Sequence, residues 1–122
     1  MPRIKILLVA ALAVLALTVA GAVQASAKST GKLVGTTGPG FTITLTQGGK
    51  AVKTLKAGKY KITVRDKSSS HNFHLIGPGV NKTTSVPFTG TTTWTVTLKK
   101  GSYTYKCDIH FASGMKGSFK VK

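Results

Sequence analysis

The stretch Tyr103-Thr104-Tyr105-Lys106-Cys107-Asp108-Ile109-His110-Phe111-Ala112-Ser113-Gly114-Met115-Lys116-Gly117 decides how the rest of the chain is read. Its first half alternates apolar and polar residues, the period-two signature of a strand with one buried face. The alternation ends on Cys107. His110 follows three residues later and Met115 five after that, in a short loop with glycines at 114 and 117. Thiolate, imidazole and thioether are soft or borderline metal donors. Period-two geometry points Tyr103, Tyr105 and Cys107 to one face, the one that buries the core. Cys107 then sits inward at a strand end, and the loop beyond it can fold His110 and Met115 back over the same point.

The same alternation recurs outward from this stretch. Phe41, Ile43 and Leu45 alternate with Thr42 and Thr44. Tyr60, Ile62 and Val64 alternate with Lys61, Thr63 and Arg65. Trp94, Val96 and Leu98 alternate with threonines, and Phe119 and Val121 close the chain facing inward. Turn signals separate these runs: Gly38-Pro39-Gly40, Gln47-Gly48-Gly49 and Gly77-Pro78-Gly79. Residues 52–55 read as a short, Lys-bearing edge strand, where charge discourages stray pairing. Residues 80–90 are irregular, with Val86 and Phe88 as expected core contacts. Two stretches repeat the pattern L-K-x-G-x-Y, at Leu55-Lys56-Ala57-Gly58-Lys59-Tyr60 and Leu98-Lys99-Lys100-Gly101-Ser102-Tyr103. They suggest two similar hairpins in a two-sheet arrangement. No helical periodicity extends over ten residues after residue 27. Short strands, frequent Gly turns and many threonines predict an all-β fold, a two-sheet sandwich with Greek-key connections.

A second imidazole is available in Ser70-His71-Asn72-Phe73-His74. His71 shares a strand face with Phe73 and Leu75 and so points inward. His74 points to the opposite face and reads as a surface histidine. The candidate metal ligands are therefore His71, Cys107, His110 and Met115. One thiolate, two imidazoles and a weak axial thioether form a blue-copper site. Such a set serves Cu(I) and Cu(II) alike, with little rearrangement between them. Asn72 is placed to hydrogen-bond the backbone after Cys107 and tie the two loops together.

The N-terminus reads as a leader. Arg3 and Lys5 precede an apolar run over residues 6–20, and small residues at Val23-Gln24-Ala25 and Ala25-Ser26-Ala27 fit a signal-peptidase site. The expected division is a signal peptide over 1–27, with cleavage after Ala25 as the alternative, and one domain over 28–122. Extended to Val23 and kept as an anchor, the run only just reaches the ~18 residues of a spanning helix. No other long apolar run exists. Export fits a single cysteine without a disulfide partner, which in an oxidising compartment is buried or bound. Eighteen Lys and Arg stand against two acids, Asp66 and Asp108. This excess suggests anionic surroundings: an acidic partner or an anionic cell-envelope surface.

Cys107-x-x-His110-x-x-x-Gly114-Met115-x-Gly117, with His71-Asn72 upstream, resembles the cupredoxin (blue copper) family and its plastocyanin-like members in particular. The resemblance covers residues 42–122. It implies a Greek-key sandwich binding one copper at its loop end, with His71, Cys107, His110 and Met115 at the positions of the family's ligands. It also implies that His110 is the surface-facing electron route, with Phe111 and the Gly77-Pro78-Gly79 loop on the docking rim. Two residues depart from the pattern. Ile109 stands where proline is usual, and Asp108 where a small polar residue is usual. A carboxylate beside the thiolate is expected to lower the reduction potential.

The function that follows is an exported one-electron carrier, periplasmic, envelope-associated or secreted, monomeric, with an acidic redox partner. Copper binding and delivery without redox work is the alternative reading. A metal-free basic sandwich binding a polyanion is the third, and it meets an obstacle: Phe73, Trp94, Tyr103 and Tyr105 fall on core faces, whereas nucleic-acid binding needs exposed aromatics among the basic residues. An enzyme is not expected, because four protein ligands leave no open coordination position and the chain has no carboxylate pair for acid–base work.

Overall fold

A computed structural model describes residues 31–122; the leader expected over 1–27 lies outside the described residues. Among the described residues ten strands run in chain order: β1 (Gly31–Thr37), β2 (Ile43–Gln47), β3 (Lys50–Ala51), β4 (Thr54–Leu55), β5 (Gly58–Asp66), β6 (His74–Gly77), β7 (Val80–Thr83), β8 (Gly90–Leu98), β9 (Gly101–Lys106) and β10 (Lys116–Val121). One sheet has the order β3-β2-β1-β5-β8 and the other β4-β10-β9-β6-β7. Most pairs are antiparallel. β1 with β5 and β10 with β4 are parallel, which makes both sheets mixed. Among the described residues a single 3-10 turn, Phe111–Ser113, interrupts the strands. No helix among the described residues is long and apolar enough to cross a membrane.

The core forms where the inward faces meet. Leu33, Ile62, Val64, Phe73 and Leu75 are fully buried, with Tyr60, Val96, Leu98, Tyr103, Tyr105, Phe119 and Val121 around them. The period-two reading of β5, β8, β9 and β10 is thus borne out, apart from Trp94, which is only partly buried. Each large apolar side chain so buried contributes roughly 1.5–3 kcal/mol. Phe73 stacks on Tyr105, centroids 5.8 Å apart, and Tyr103 stacks on Phe119 at 5.2 Å.

Four expectations fail here. The Gly77-Pro78-Gly79 turn is not on a rim around His110: β6 carries it to the far end of the sheet, where the Pro78 carbonyl accepts from the Tyr103 hydroxyl beside Lys99. Phe41 is not a core residue: it is 67% exposed, and β2 begins two residues later. Residues 80–90 are not irregular throughout, since β7 occupies Val80–Thr83, and Val86 and Phe88 are only half-buried; the buried residues of that segment are Val80 and Thr84, the latter's hydroxyl accepting from the Phe73 N–H at 2.9 Å. The two L-K-x-G-x-Y stretches are not hairpins. Each carries the chain from one sheet to the other, β4 to β5 and β8 to β9. In each corner the tyrosine closes the turn on the lysine four residues earlier. The Tyr60 hydroxyl donates to the Lys56 carbonyl at 2.7 Å, and the Tyr103 hydroxyl to the Lys99 carbonyl at 3.0 Å. The glycine between them takes a φ of +153° or +145°, a backbone that side chains disfavour.

Candidate metal centre

The site lies at the end of the sandwich where β1 and β5 finish and β6 begins. His71 stands just before β6, and Cys107 just after β9. Both are buried, Cys107 fully and His71 to 3% exposure. His110 follows on the loop and is half-buried. His71 Nδ1 and His110 Nδ1 face one another at 2.9 Å; Cys107 Sγ is 3.8 Å from the first and 3.7 Å from the second. These are the residues that alternation and spacing singled out, brought together from positions 36 residues apart.

The donor set fits a copper ion. The three atoms lie on a circle of radius about 2.0 Å, close to the ~2.0–2.3 Å at which imidazole nitrogen and thiolate hold a first-row divalent metal. Two imidazole nitrogens and a sulfur this close together are well placed to share one cation. Met115 is fully buried beside them. Its carbonyl accepts from the Cys107 N–H at 3.0 Å, and its own N–H donates to the His110 carbonyl at 3.3 Å. The loop thereby closes on the cysteine through its backbone.

Two glycines make that closure feasible. Gly114 caps the 3-10 turn at a φ of +99°, its N–H on the Phe111 carbonyl. Gly117 lies opposite Tyr105 in the β9–β10 ladder. A Cβ there would meet the tyrosine ring at 2.2 Å, so only glycine lets the ring lie across the strand.

Asn72 joins the two loops as expected. Its Oδ1 accepts from the Asp108 N–H at 2.8 Å, and its Nδ2 donates to Asp108 Oδ2 at 2.7 Å. The same amide group reaches Thr83 Oγ1 and the Thr84 carbonyl. The Asp108 carboxylate is therefore part of the brace. It also accepts from His74 Nδ1 at 2.8 Å, with Lys106 Nζ 4.0 Å away. Partial burial alone would raise its pKa; the His74 and Asn72 hydrogen bonds and the charges of His74 and Lys106 outweigh that and hold it below the usual carboxylate range. Asp66 goes the other way: burial pushes it up, against hydrogen bonds from Ser68 and Thr84 and the nearby His71.

His74 is the residue whose role the sequence reading missed. It does face away from His71, but it is no free surface histidine. Its ring is only 17% exposed and bridges Asp108 to Asn81 Oδ1, the latter at 2.6 Å. The available signal was Asp108 itself: a lone acid beside the cysteine needs a partner, and His74 is the histidine left over.

Phe41 is the second such residue. Its ring lies edge-on to both histidines, centroids 5.3 Å from His71 and 4.8 Å from His110. Ile109 and Phe111 are the other large apolar side chains exposed among the described residues, at 55% and 42%. Lys106 Nζ sits 4.5 Å over the Phe111 ring.

The family model of copper binding proteins of the plastocyanin/azurin family matches residues 49–122. Among solved structures the chain is similar to reduced rusticyanin, with 23% identity and a TM-score of 0.57 over 75% of this chain and 78% of that one. It is also similar to dithionite-reduced auracyanin from the photosynthetic bacterium Roseiflexus castenholzii, with 20% identity and a TM-score of 0.55 over 77% of this chain and 98% of that one. At these identities the likeness is one of fold. No curated protein matches the chain. The sandwich, the convergent His-Cys-His donors and the match over most of the described residues lead to one conclusion: this chain is a cupredoxin, a member of the plastocyanin/azurin family of copper binding proteins that takes one copper ion.

Proposed function

We propose that this cupredoxin is an exported blue copper protein and works as a one-electron carrier, with His71, Cys107, His110 and Met115 as its metal ligands. The observation that carries the proposal is the convergence of two imidazole nitrogens and one thiolate sulfur, 2.9 to 3.8 Å apart, on a strand end. Bound copper supplies a couple between Cu(I) and Cu(II). The chain holds the donors still. Cys107 is buried at a strand end, His71 is buried in front of β6, and the Asn72–Asp108 bonds lock their two loops together. Donors that cannot rearrange keep the two oxidation states alike in geometry, and that is the condition for fast electron transfer.

The route in and out is His110, the half-exposed member of the set. Phe41, Ile109 and Phe111 give the contact around it an apolar character that excludes water, and Lys106 adds a positive charge at Phe111. A redox partner with an apolar patch bordered by carboxylates fits this surface. His74 and Lys106 beside Asp108 offset its carboxylate, so the reduction potential is lowered less than a lone acid would lower it. Cupredoxins are in general carriers and not enzymes, and this set of four protein ligands offers substrate no position.

The test is a visible absorption and electron paramagnetic resonance spectrum of residues 28–122 after adding copper(II). An intense blue thiolate-to-copper band with small hyperfine splitting is expected. A colourless protein, or the weak spectrum of copper held by nitrogen and oxygen, would overturn the assignment.

A further inference from the structure

The lysines of this domain are not spread evenly. β5 starts at Gly58 opposite Leu98 and ends at Asp66 opposite Gly90, a length of about 26 Å at ~3.3 Å per residue. The metal centre and both acids lie at the Asp66 end. At the other end three separate segments meet. The Ala57 N–H donates to the Lys122 carbonyl, Lys122 N–H to Leu55, and Lys120 N–H to Lys53. Val121 pairs with Gly101, and Leu98 with Gly58. The topology thus brings Lys53, Lys56, Lys99, Lys100, Lys120 and Lys122 together, all six exposed. No Asp or Glu side chain lies at this end: Asp66 closes β5 at the metal end, and Asp108 pairs there with His74 and Lys106.

Two further facts narrow what such a pole would bind. The chain enters β1 at this same end: Gly31 pairs with Tyr60, next to the Lys56–Tyr60 corner. Residue 31, where the described residues begin, therefore stands on the basic side. The large apolar side chains exposed among the described residues, Phe41, Ile109 and Phe111, are all at the opposite, metal end. A pole with many lysines and no large apolar side chain adsorbs to charge without inserting.

We propose that this lysine pole docks on a bilayer surface rich in anionic phospholipid, seating the domain with its metal end turned away from the membrane. Lysines close to an anionic surface each raise partitioning, by about fivefold apiece. The orientation leaves His110 open to a partner while the domain stays at the membrane. It deepens the reading of an exported carrier by naming where the carrier is held, but docking itself does not require copper.

The test compares two triple variants of residues 28–122, the stretch that contains both sheets and the whole core. Lys56→Gln with Lys100→Gln and Lys122→Gln removes three charges from the pole. Lys67→Gln with Lys82→Gln and Lys116→Gln removes three from elsewhere. Circular dichroism and the copper spectrum confirm that both remain folded. Binding is measured by sedimentation with vesicles of phosphatidylcholine, with and without roughly one-third phosphatidylglycerol, at ~0.1 M salt. The expected result is binding to the anionic vesicles only, weakened about a hundredfold by the pole triple and less than about threefold by the other. Equal losses in the two triples would show that net charge alone acts and overturn the proposal. So would equal binding to neutral vesicles, no binding to anionic ones, or binding of soluble polyphosphate with vesicles ignored. Measured on copper-free and copper-loaded protein alike, a failure here leaves the electron-carrier reading standing, and a failed copper spectrum leaves this one standing.

Discussion

The two ends of the sandwich are built by opposite means. At the metal end, polar groups brace one another outward from a buried amide: Asn72, Asp108, His74 and Asn81 form a continuous chain of hydrogen bonds beside Cys107. At the lysine end, charges are left in water, and two tyrosine-closed corners hold the backbone beneath them. Substitution at the first end should therefore unsettle geometry, whereas substitution at the second should change charge and little else. Buried polar groups lose a full desolvation term when a partner goes, while solvated charges lose almost nothing.

The largest expected break is Cys107→Ser. It should remove the thiolate-to-copper band altogether while far-ultraviolet circular dichroism stays unchanged; a retained blue band would overturn the blue-copper assignment, since Cys107 is the only cysteine of the chain. Asn72→Ala comes next. It takes away the partner of the Asp108 N–H and one donor to its carboxylate, and should lower stability by about 1–3 kcal/mol in urea unfolding. A loss under about 0.5 kcal/mol would mean that the two loops hold without the brace.

Tyr60→Phe probes the framework of the lysine end. The lost hydrogen bond to Lys56 should be worth about 1 kcal/mol near neutral pH. Burial, outweighing the Lys56 hydrogen bond, raises the Tyr60 pKa above its ordinary value. The fold thus favours the neutral phenol, whereas the unfolded chain ionises near pH ~10. The stability contribution is present below that pH and is lost as the pH rises above it. Tyr60→Phe should flatten this alkaline loss, and an unchanged slope would count against it.

Thr37→Val sharpens the comparison at the metal end. The Thr37 hydroxyl is fully buried and has no protein partner, the one such side-chain oxygen or nitrogen identified among the described residues. Removing it should leave stability unchanged or raise it by up to about 1 kcal/mol in thermal unfolding; a clear loss would reveal a partner. Lys100→Gln at the opposite pole should shift stability by less than about 0.5 kcal/mol, and a larger change would show that the pole is structural.

Much of this was legible along the chain because period-two alternation is a local property. It placed Tyr103, Tyr105 and Cys107 inward, separated His71 from His74, and marked the two-sheet sandwich. The L-K-x-G-x-Y repeat was equally visible but misread, since a hairpin and a sheet-crossing corner have the same turn chemistry. Only the identity of the neighbouring strand distinguishes them. Phe41 was misread for a related reason. Its alternation with Ile43 and Leu45 was real, but the strand does not reach it, and the two histidine rings it meets come from distant segments.

The sequence by itself determined the donor types, their spacing in the Cys107–Met115 loop, the β periodicity and the excess of lysine, because each depends on residues near one another in the chain. Tertiary structure alone decided three things. It joined His71 to Cys107 and His110, gave Asp108 its partner in His74, and gathered six of the lysines at the pole away from the metal. Each is a matter of which strand ends meet. That is set by burying both sheets' apolar faces at once, a condition on the whole chain that no local pattern contains.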